Sequence, residues 1–359
     1  TIAIAASLGL VACGGTTESA GDNIKIGMMT DSGTIDDKSF NQATWEGIKR
    51  YESENGTIVA QYIKPIGETT ADYMQAADDL ITAGNQMIIA PGFKFDEAIT
   101  KLQEQYPDIK FVMIDGQPEE VAENTIAIYF AEHEAGFLAG ITAALETKTG
   151  KVGFIGGMKS ESIEKFGYGY VAGVAYANKH FGTNAEVVDY LYNGTFTDVA
   201  GGQAQAGSMY DKGIDIIFTA AGRVGSGVIT EAKTRAEAGD KVYVIGVDVD
   251  QYEDGIYNQE TNESVILTSA LKRVDNASYT KVDEFINGTF TGGEVITMTA
   301  EVDGVGLPET NPNLTTETQE TVNELLANIK AGNLVIPSTE ADVQSFLSEM
   351  GYQGAKINF

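Results

Sequence analysis

A phenyl ring and a carboxamide stand side by side, Phe40 and Asn41, directly after the acidic stretch "TDSGTIDDKS" at residues 30–39. An exposed ring offers a stacking face to a planar ligand, and the amide beside it both donates and accepts hydrogen bonds. Phe40 equally fits the first position of a helical core stripe that continues through Ala43, Gly47, Ile48 and Tyr51, so both uses of the ring are open. The preceding Asp36 and Asp37 suit a helix N-terminus, where carboxylates accept from free N–H groups. A second aromatic, Phe196 in "NGTFTDVAGG", also precedes a helical pattern, and a third, Phe166, begins another. Two such rings on facing surfaces would sandwich a flat ring; core packing stays open for each.

Polar groups at other positions extend this chemistry. Asp248 ends an apolar run and Lys272 follows "VILTSA". A carboxylate accepts from vicinal hydroxyls, while a nearby ammonium donates to one of them and balances the charge. "AAGRVGSGV" (220–228) is a glycine-rich turn from strand into helix without the Lys-Ser/Thr of a P-loop or the dinucleotide spacing, and it reads as a tight turn against a neutral ligand. "DVDQYEDG" (248–255) spaces its acids nearly as a calcium loop does but lacks the terminal Glu, and reads as solvated. No G-x-S-x-G, H-E-x-x-H or cysteine nucleophile occurs, and His133 and His180 have no evident catalytic partners. The residues point to binding without turnover, with no catalytic residue, metal or cofactor.

The elements that must hold these groups alternate. "IKIGMM", "TIVAQYI", "QMIIAPG", "KFVMIDG" and "TIAIYF" read as strands, with helices between the first four. "KVGFIGG", "AEVVDYLY", "IDIIFTAAG" and "KVYVIGVD" repeat the scheme, with helices predicted through 166–178, 198–212 and 225–238. Strands apolar throughout and separated by helices form parallel sheets covered on both faces, so two doubly wound α/β units stand in tandem. Ligands bind beyond the carboxyl ends of such strands, and two facing units share a cleft. That rule places Asp31, Asp115, Gly222 and Asp248 at the mouth.

The chain has 359 residues, 43% of them hydrophobic, and 52 acids against 23 Lys and Arg give a net charge of −29. A surface so acidic repels phosphate backbones and excludes nucleic acid as a partner. The N-terminal run "TIAIAASLGLVAC" is too short to span a bilayer and is followed by the polar "GGTTESAGDN". It reads as the apolar part of a signal peptide, and "LVAC" resembles a bacterial lipobox that would carry lipid on Cys13, the single cysteine of the chain.

"DDKSFNQATWEGI", "FAEHEAGFLAG", "VGFIGG", "FGYGYVAGV", "AAGRVGSGV" and "VIGVDVDQ" together closely resemble the basic membrane protein family of bacterial lipoproteins, which includes the purine nucleoside receptors of ABC importers. The resemblance implies a type I periplasmic-binding-protein fold, with a nucleoside held between two hinged lobes and passed to an ABC permease. Phe40 and Asn41 would stack on and bond the base, Asp115 would read its edge, and Phe196 would form the opposite stacking face. Gly222, Asp248 and Lys272 would hold the ribose, with Asp31 a further contact. The family pattern also implies one lobe of 24–129 plus a late helix near 273–296, and another of 130–271 plus 297–359, after a leader and tether at 1–23. It implies a lipid-anchored place on the cell membrane, facing outside the cytoplasm. Arg223 and Val224 depart from the family's smaller residues, and "MIDG" lacks a second acid. Two other readings use the same residues: the same fold binding a sugar or signalling molecule, since sugars also stack on aromatics, and a nucleoside hydrolase, whose metal-holding Asp cluster is not evident.

Overall fold

A computed structural model describes residues 24–354, 357 and 359. The leader, the tether and Cys13 lie outside the described residues. The chain opens with β1 (Ile24–Met29), α1 (Phe40–Asn55), β2 (Ile58–Ile63), α2 (Thr70–Thr82), β3 (Asn85–Pro91), α3 (Asp96–Gln105), β4 (Lys110–Ile114) and β5 (Thr125–Phe130). It continues through α4 (Glu132–Glu146), β6 (Lys151–Gly156), α5 (Glu161–His180), β7 (Glu186–Tyr192), α6 (Val199–Asp211), β8 (Ile216–Ala220), α7 (Arg223–Glu237) and β9 (Tyr243–Asp248). A short hairpin, β10 (Ile256–Asn258) and β11 (Glu263–Ser264), leads to β12 (Ile266–Lys272), α8 (Val274–Ile286), β13 (Glu294–Met298), β14 (Val305–Gly306), α9 (Thr316–Lys330) and α10 (Glu340–Met350).

These strands make two six-stranded sheets, in the orders β13-β5-β4-β3-β1-β2 and β14-β12-β9-β8-β6-β7. All pairings in the first are parallel, and in the second only β14 runs antiparallel, against β12. The central strands are apolar on both faces because helices cover both: Met87, Ile88, Ile89 and Ala90 of β3 are all fully buried. The expected α/β architecture, two doubly wound parallel sheets, is what the chain adopts. Its late crossings are visible in the same strand orders. After β5 the chain leaves the first sheet for the second, returns from β12 to α8 and β13, then crosses again to β14. α8 packs on α1, where Ser278 Oγ donates to the Thr44 carbonyl at 2.9 Å.

Two elements differ from the sequence expectation. The segment 273–296 is not one helix: α8 stops at Ile286, and Glu294–Met298 is a strand added to the edge of the first sheet beside β5. The second is α4, in a segment to which periodicity assigns nothing. Twelve of its residues are buried, among them Glu132, Gly136, Gly140 and Glu146, so no polar face gives the 3.6-residue alternation that betrays a surface helix. α4 packs closely on α5: a Cβ at Gly140 would run into the Tyr170 carbonyl, and one at Gly169 into that of His133. Backbone-to-backbone contact along this seam sets where the first turns of α4 and α5 stand relative to each other.

Candidate functional site

The loops beyond the carboxyl ends of both sheets enclose a cavity of about 380 Å³, within the range of small-molecule sites. Asp31, Phe40, Asn41 and Asp115 line it from the first sheet, and Phe196, Gly222, Asp248 and Lys272 from the second. The cavity therefore brings together all eight residues singled out in the sequence. Phe166 lines it as well, though it is only 1% exposed and packs edge-on to Phe218.

The wall at the start of α1 is built around Asp37. Ser39 occupies the N-cap position, yet its side chain makes no capping bond. The Asp37 carboxylate does that work, accepting from the backbone N–H groups of Ser39 (2.9 Å), Asn41 (3.1 Å) and Gln42 (3.1 Å). Nδ2 of Asn41 donates to Asp37 and to Asp31, each at 2.8 Å, and Oδ1 of Asn41 accepts from the Asp31 N–H at 3.2 Å. Asn41 thus has one amide proton on each carboxylate and ties Asp31 to Asp37. Burial raises the Asp31 carboxyl above the usual aspartate range, against the pull of the Gly33 N–H and Asn41. Phe40, half-buried, packs on the core and also faces the cavity.

Asp115 and Asp248 each take a left-handed backbone conformation immediately past a strand, with φ of 59° and 66°. Such angles cost a non-glycine residue free energy and cluster at functional sites. They turn the two carboxylates into the cavity. Asp248, 7% exposed, accepts from Ser39 Oγ across the cleft. Burial lifts its carboxyl to about 7, although Lys272 and Ser39 pull it down. A second contact crosses the cleft nearby: Gln251 Nε2 donates to the Lys38 carbonyl at 2.8 Å. Gly222 caps α7 at φ 57°, ψ −133°, and a Cβ there would press on the Phe196 carbonyl, 3.3 Å away.

Lys272 is the centre of the opposite wall. Its ammonium, 2% exposed, bonds the Asp115 carboxylate, Glu132 Oε1 at 2.8 Å and Ser162 Oγ at 2.8 Å. The rings of Phe130, Phe40 and Phe166 surround it, 5.1, 5.3 and 6.0 Å from Nζ. Burial alone would push the ammonium down, but the carboxylates of Asp115, Glu132 and Asp248 outweigh it and hold the group above the ordinary lysine range.

Sequence reasoning did not find Asp96, Tyr129, Glu132 or Ser162. Asp96 starts α3 and lines the cavity; burial lifts its carboxyl to about 7, and its Oδ1 has no hydrogen-bond partner among the described residues. It stands five residues beyond β3, past the position that strand-end logic marks. Glu132 sits in the helix that carries no periodic signal. Acids dominate the walls, and among the described residues the only lining cation that is buried, Lys272, is already paired. The arrangement suits an uncharged ligand with a flat ring, N–H groups and hydroxyls.

Two facing α/β units with a polar and aromatic cavity between them define a solute-binding protein of the type I periplasmic-binding-protein fold. An ABC transporter solute-binding protein from Aeropyrum pernix superposes with a TM-score of 0.77 at 26% identity, covering 91% of this chain and 97% of that one. Another, from Conexibacter woesei, gives 0.69 at 21% identity over 88% and 99% of the two chains. The model of the Bmp family, PnrA-like ABC transporter substrate-binding proteins, matches residues 24–340, and the chain belongs to that family. The ABC transporter nucleoside-binding protein BmpA of Lactococcus lactis is 33% identical, over 90% of this chain and 92% of its own. Basic membrane protein B of Borreliella burgdorferi is also 33% identical, over 93% of each chain. A CD4+ T-cell-stimulating antigen of Listeria innocua is 35% identical over 93% of this chain and 96% of its own. The protein is a substrate-binding component of an ABC transporter. Among the described residues no helix is long and apolar enough to cross a membrane.

Proposed function

We propose that the protein captures nucleosides, purine nucleosides by preference, outside the cytoplasm and delivers them to an ABC permease without chemical turnover. The observation that carries this reading is one cavity faced by Phe40 from the first sheet and Phe196 from the second, with carboxylates at both ends. The base stacks between the two rings, Asp31 and Asp115 accept from its N–H groups, and Asn41 holds Asp31 in place. Gly222 lets the backbone approach the ribose, and Asp248 accepts from its hydroxyls. The name of the Lactococcus relative supports a nucleoside over other solutes. The lobes of 24–129 plus 273–296 and of 130–271 plus 297–359 close about the ligand. Lipid on Cys13 tethers the protein to the cell membrane.

Calorimetry on protein stripped of carried-over ligand tests this, with guanosine, inosine, adenosine, uridine, the free bases and ribose. Nucleosides bind, purines more tightly than uridine; ribose and free bases bind weakly. No release of free base accompanies binding. Base–aromatic stacking contributes about 1–3 kcal/mol, so Phe40→Ala weakens purine nucleosides roughly 5- to 150-fold while the variant stays folded. Wild type that binds no nucleoside at high micromolar concentration removes the reading. Fatty-acid labelling that persists in Cys13→Ser removes the anchor alone.

A further inference from the structure

An ammonium has three N–H donors, and in Lys272 each has an acceptor: the Asp115 carboxylate, Glu132 Oε1 and Ser162 Oγ. The acceptors belong to different halves of the molecule. Asp115 follows β4 of the first sheet, whereas Lys272 ends β12 of the second. Glu132 and Ser162 begin α4 and α5, which pack on each other, with α4 against β12 and α5 against β6. Ser162 Oγ also donates to Glu132 Oε1 at 2.9 Å, closing a triangle with the ammonium on the second side of the cleft. Glu132 is 1% exposed and does not line the cavity, so no ligand reaches it.

With the cleft shut, Asp115 by itself would neutralise Lys272, and a second buried carboxylate is then a surplus charge. The surplus has a use once the sheets separate. Asp115 departs with the first sheet, while Glu132 and Ser162 stay beside Lys272. We propose that Glu132 is a positioning residue for ligand capture, the counter-charge that keeps Lys272 neutralised and aimed at Asp115 while the cleft is open. This rests on the reading that the lobes hinge about a nucleoside. Asp248, which stays on the same side, attracts Lys272 from a neighbouring strand without a hydrogen bond to it. A buried ammonium that keeps no directly bonded carboxylate is strongly disfavoured, so Glu132 is what makes the open state accessible. It acts on how often the cleft opens, and hardly on how firmly the closed form holds its ligand.

The test is Glu132→Gln, which keeps shape and hydrogen bonding and removes the charge. Electron-resonance distances between spin labels on α1 and α6 measure the open population, and stopped-flow mixing with guanosine measures association. Opening becomes about tenfold rarer. That appears as a fall in the open population where wild type is largely open, or as roughly tenfold slower association where it is largely shut. The dissociation constant is not weakened in either case. Glu132→Asp keeps the charge on a side chain one methylene shorter and changes both readouts less than about twofold. A folded Glu132→Gln protein with neither fewer open molecules nor slower association overturns the proposal. An equal effect from Glu132→Asp also overturns it, because the cause is then packing and not charge. Should wild type bind no nucleoside, the function reading fails, and the label distances alone decide this proposal.

Discussion

Two groups of carboxylates stand at one cavity, and their charges are compensated in different ways. Asp31 and Asp37 are held by N–H groups, three backbone donors at the start of α1 and the Asn41 amide, and among the described residues no cation is bonded to either. Asp115 and Glu132 are held by one ammonium, Lys272. Oriented N–H dipoles steady a carboxylate and leave it negative, with lone pairs to offer a ligand. An ammonium cancels the charge and ties four chain segments into one rigid point. The first group is equipped for recognition and the second for holding the two halves of the site in register. Asp248 stands between them, bonded to Ser39 beside one group and drawn electrostatically to Lys272 in the other.

If that contrast holds, removing the ammonium has the largest effect. Lys272→Met fills much of the same volume but leaves Asp115 and Glu132 without a counter-charge. Breaking a buried pair by removing one partner costs about 3–5 kcal/mol, which urea unfolding at pH 8 reads directly. In the variant the Glu132 carboxyl, which desolvation already raises, loses the ammonium that draws it down. Its folded form then takes up a proton before the unfolded chain does, and the deficit against wild type shrinks as pH falls toward 5. A loss below about 1 kcal/mol, the same at both pH values, would show that Lys272 is not compensating these charges.

The two groups also differ in how far the sequence reveals them. Residues 31–42 hold the whole N–H-compensated group, so a local pattern of acids before a helix start was enough to locate it. The Lys272 group draws on positions 115, 132, 162 and 272, which only the folded topology brings together. Family resemblance named Asp115 and Lys272 as ligand contacts but gave no reason for them to meet. Glu132 was hidden more deeply, because α4 is buried on nearly every side and shows no amphipathic period. The sheets were the easiest to read, since strands buried on both faces are continuous apolar runs. The family pattern gives the late helix to 296, whereas it ends at Ile286; "TGGEVITMTA" carries a strand without the uniform hydrophobicity of an inner one, and Glu294 and Val295 are exposed on the edge strand β13.

A smaller effect belongs to Asp248. Burial holds its folded carboxyl at about 7, above the unfolded value of 3.8. The folded state keeps the proton longer than the unfolded chain does, so the contribution is fully present below about pH 4 and is lost as pH rises through about 7. The slope is up to about 1.4 kcal/mol per pH unit across that window. Asp248→Asn removes this slope, so its stability relative to wild type improves between pH 4 and 7 in the absence of ligand. Parallel pH profiles for the two proteins would mean that Ser39 and Lys272 already compensate Asp248 in full. It would then belong with the ammonium-compensated carboxylates.

The smallest effect tests the other side of the contrast. Asp37→Ala removes an acceptor from three backbone N–H groups and from the Asn41 amide, four bonds in all. Counted as bonds, this exceeds what Lys272→Met removes. The expected cost is nevertheless that of a lost helix cap, about 1 kcal/mol, because no charge is left stranded and water from the adjoining cavity can reach the freed donors. Asp37→Asn retains one acceptor oxygen and falls between Ala and wild type. Freed from Asp37, the Asn41 amide no longer holds Asp31 in one place, so nucleoside affinity drops a few-fold in Asp37→Ala even where the urea midpoint barely moves. Urea unfolding and calorimetry on the same samples separate the two losses. An Asp37→Ala protein as unstable as Lys272→Met would show that N–H donors at a helix start carry a load equal to that of a buried ammonium, and the distinction between a recognising wall and a holding wall would fall with it.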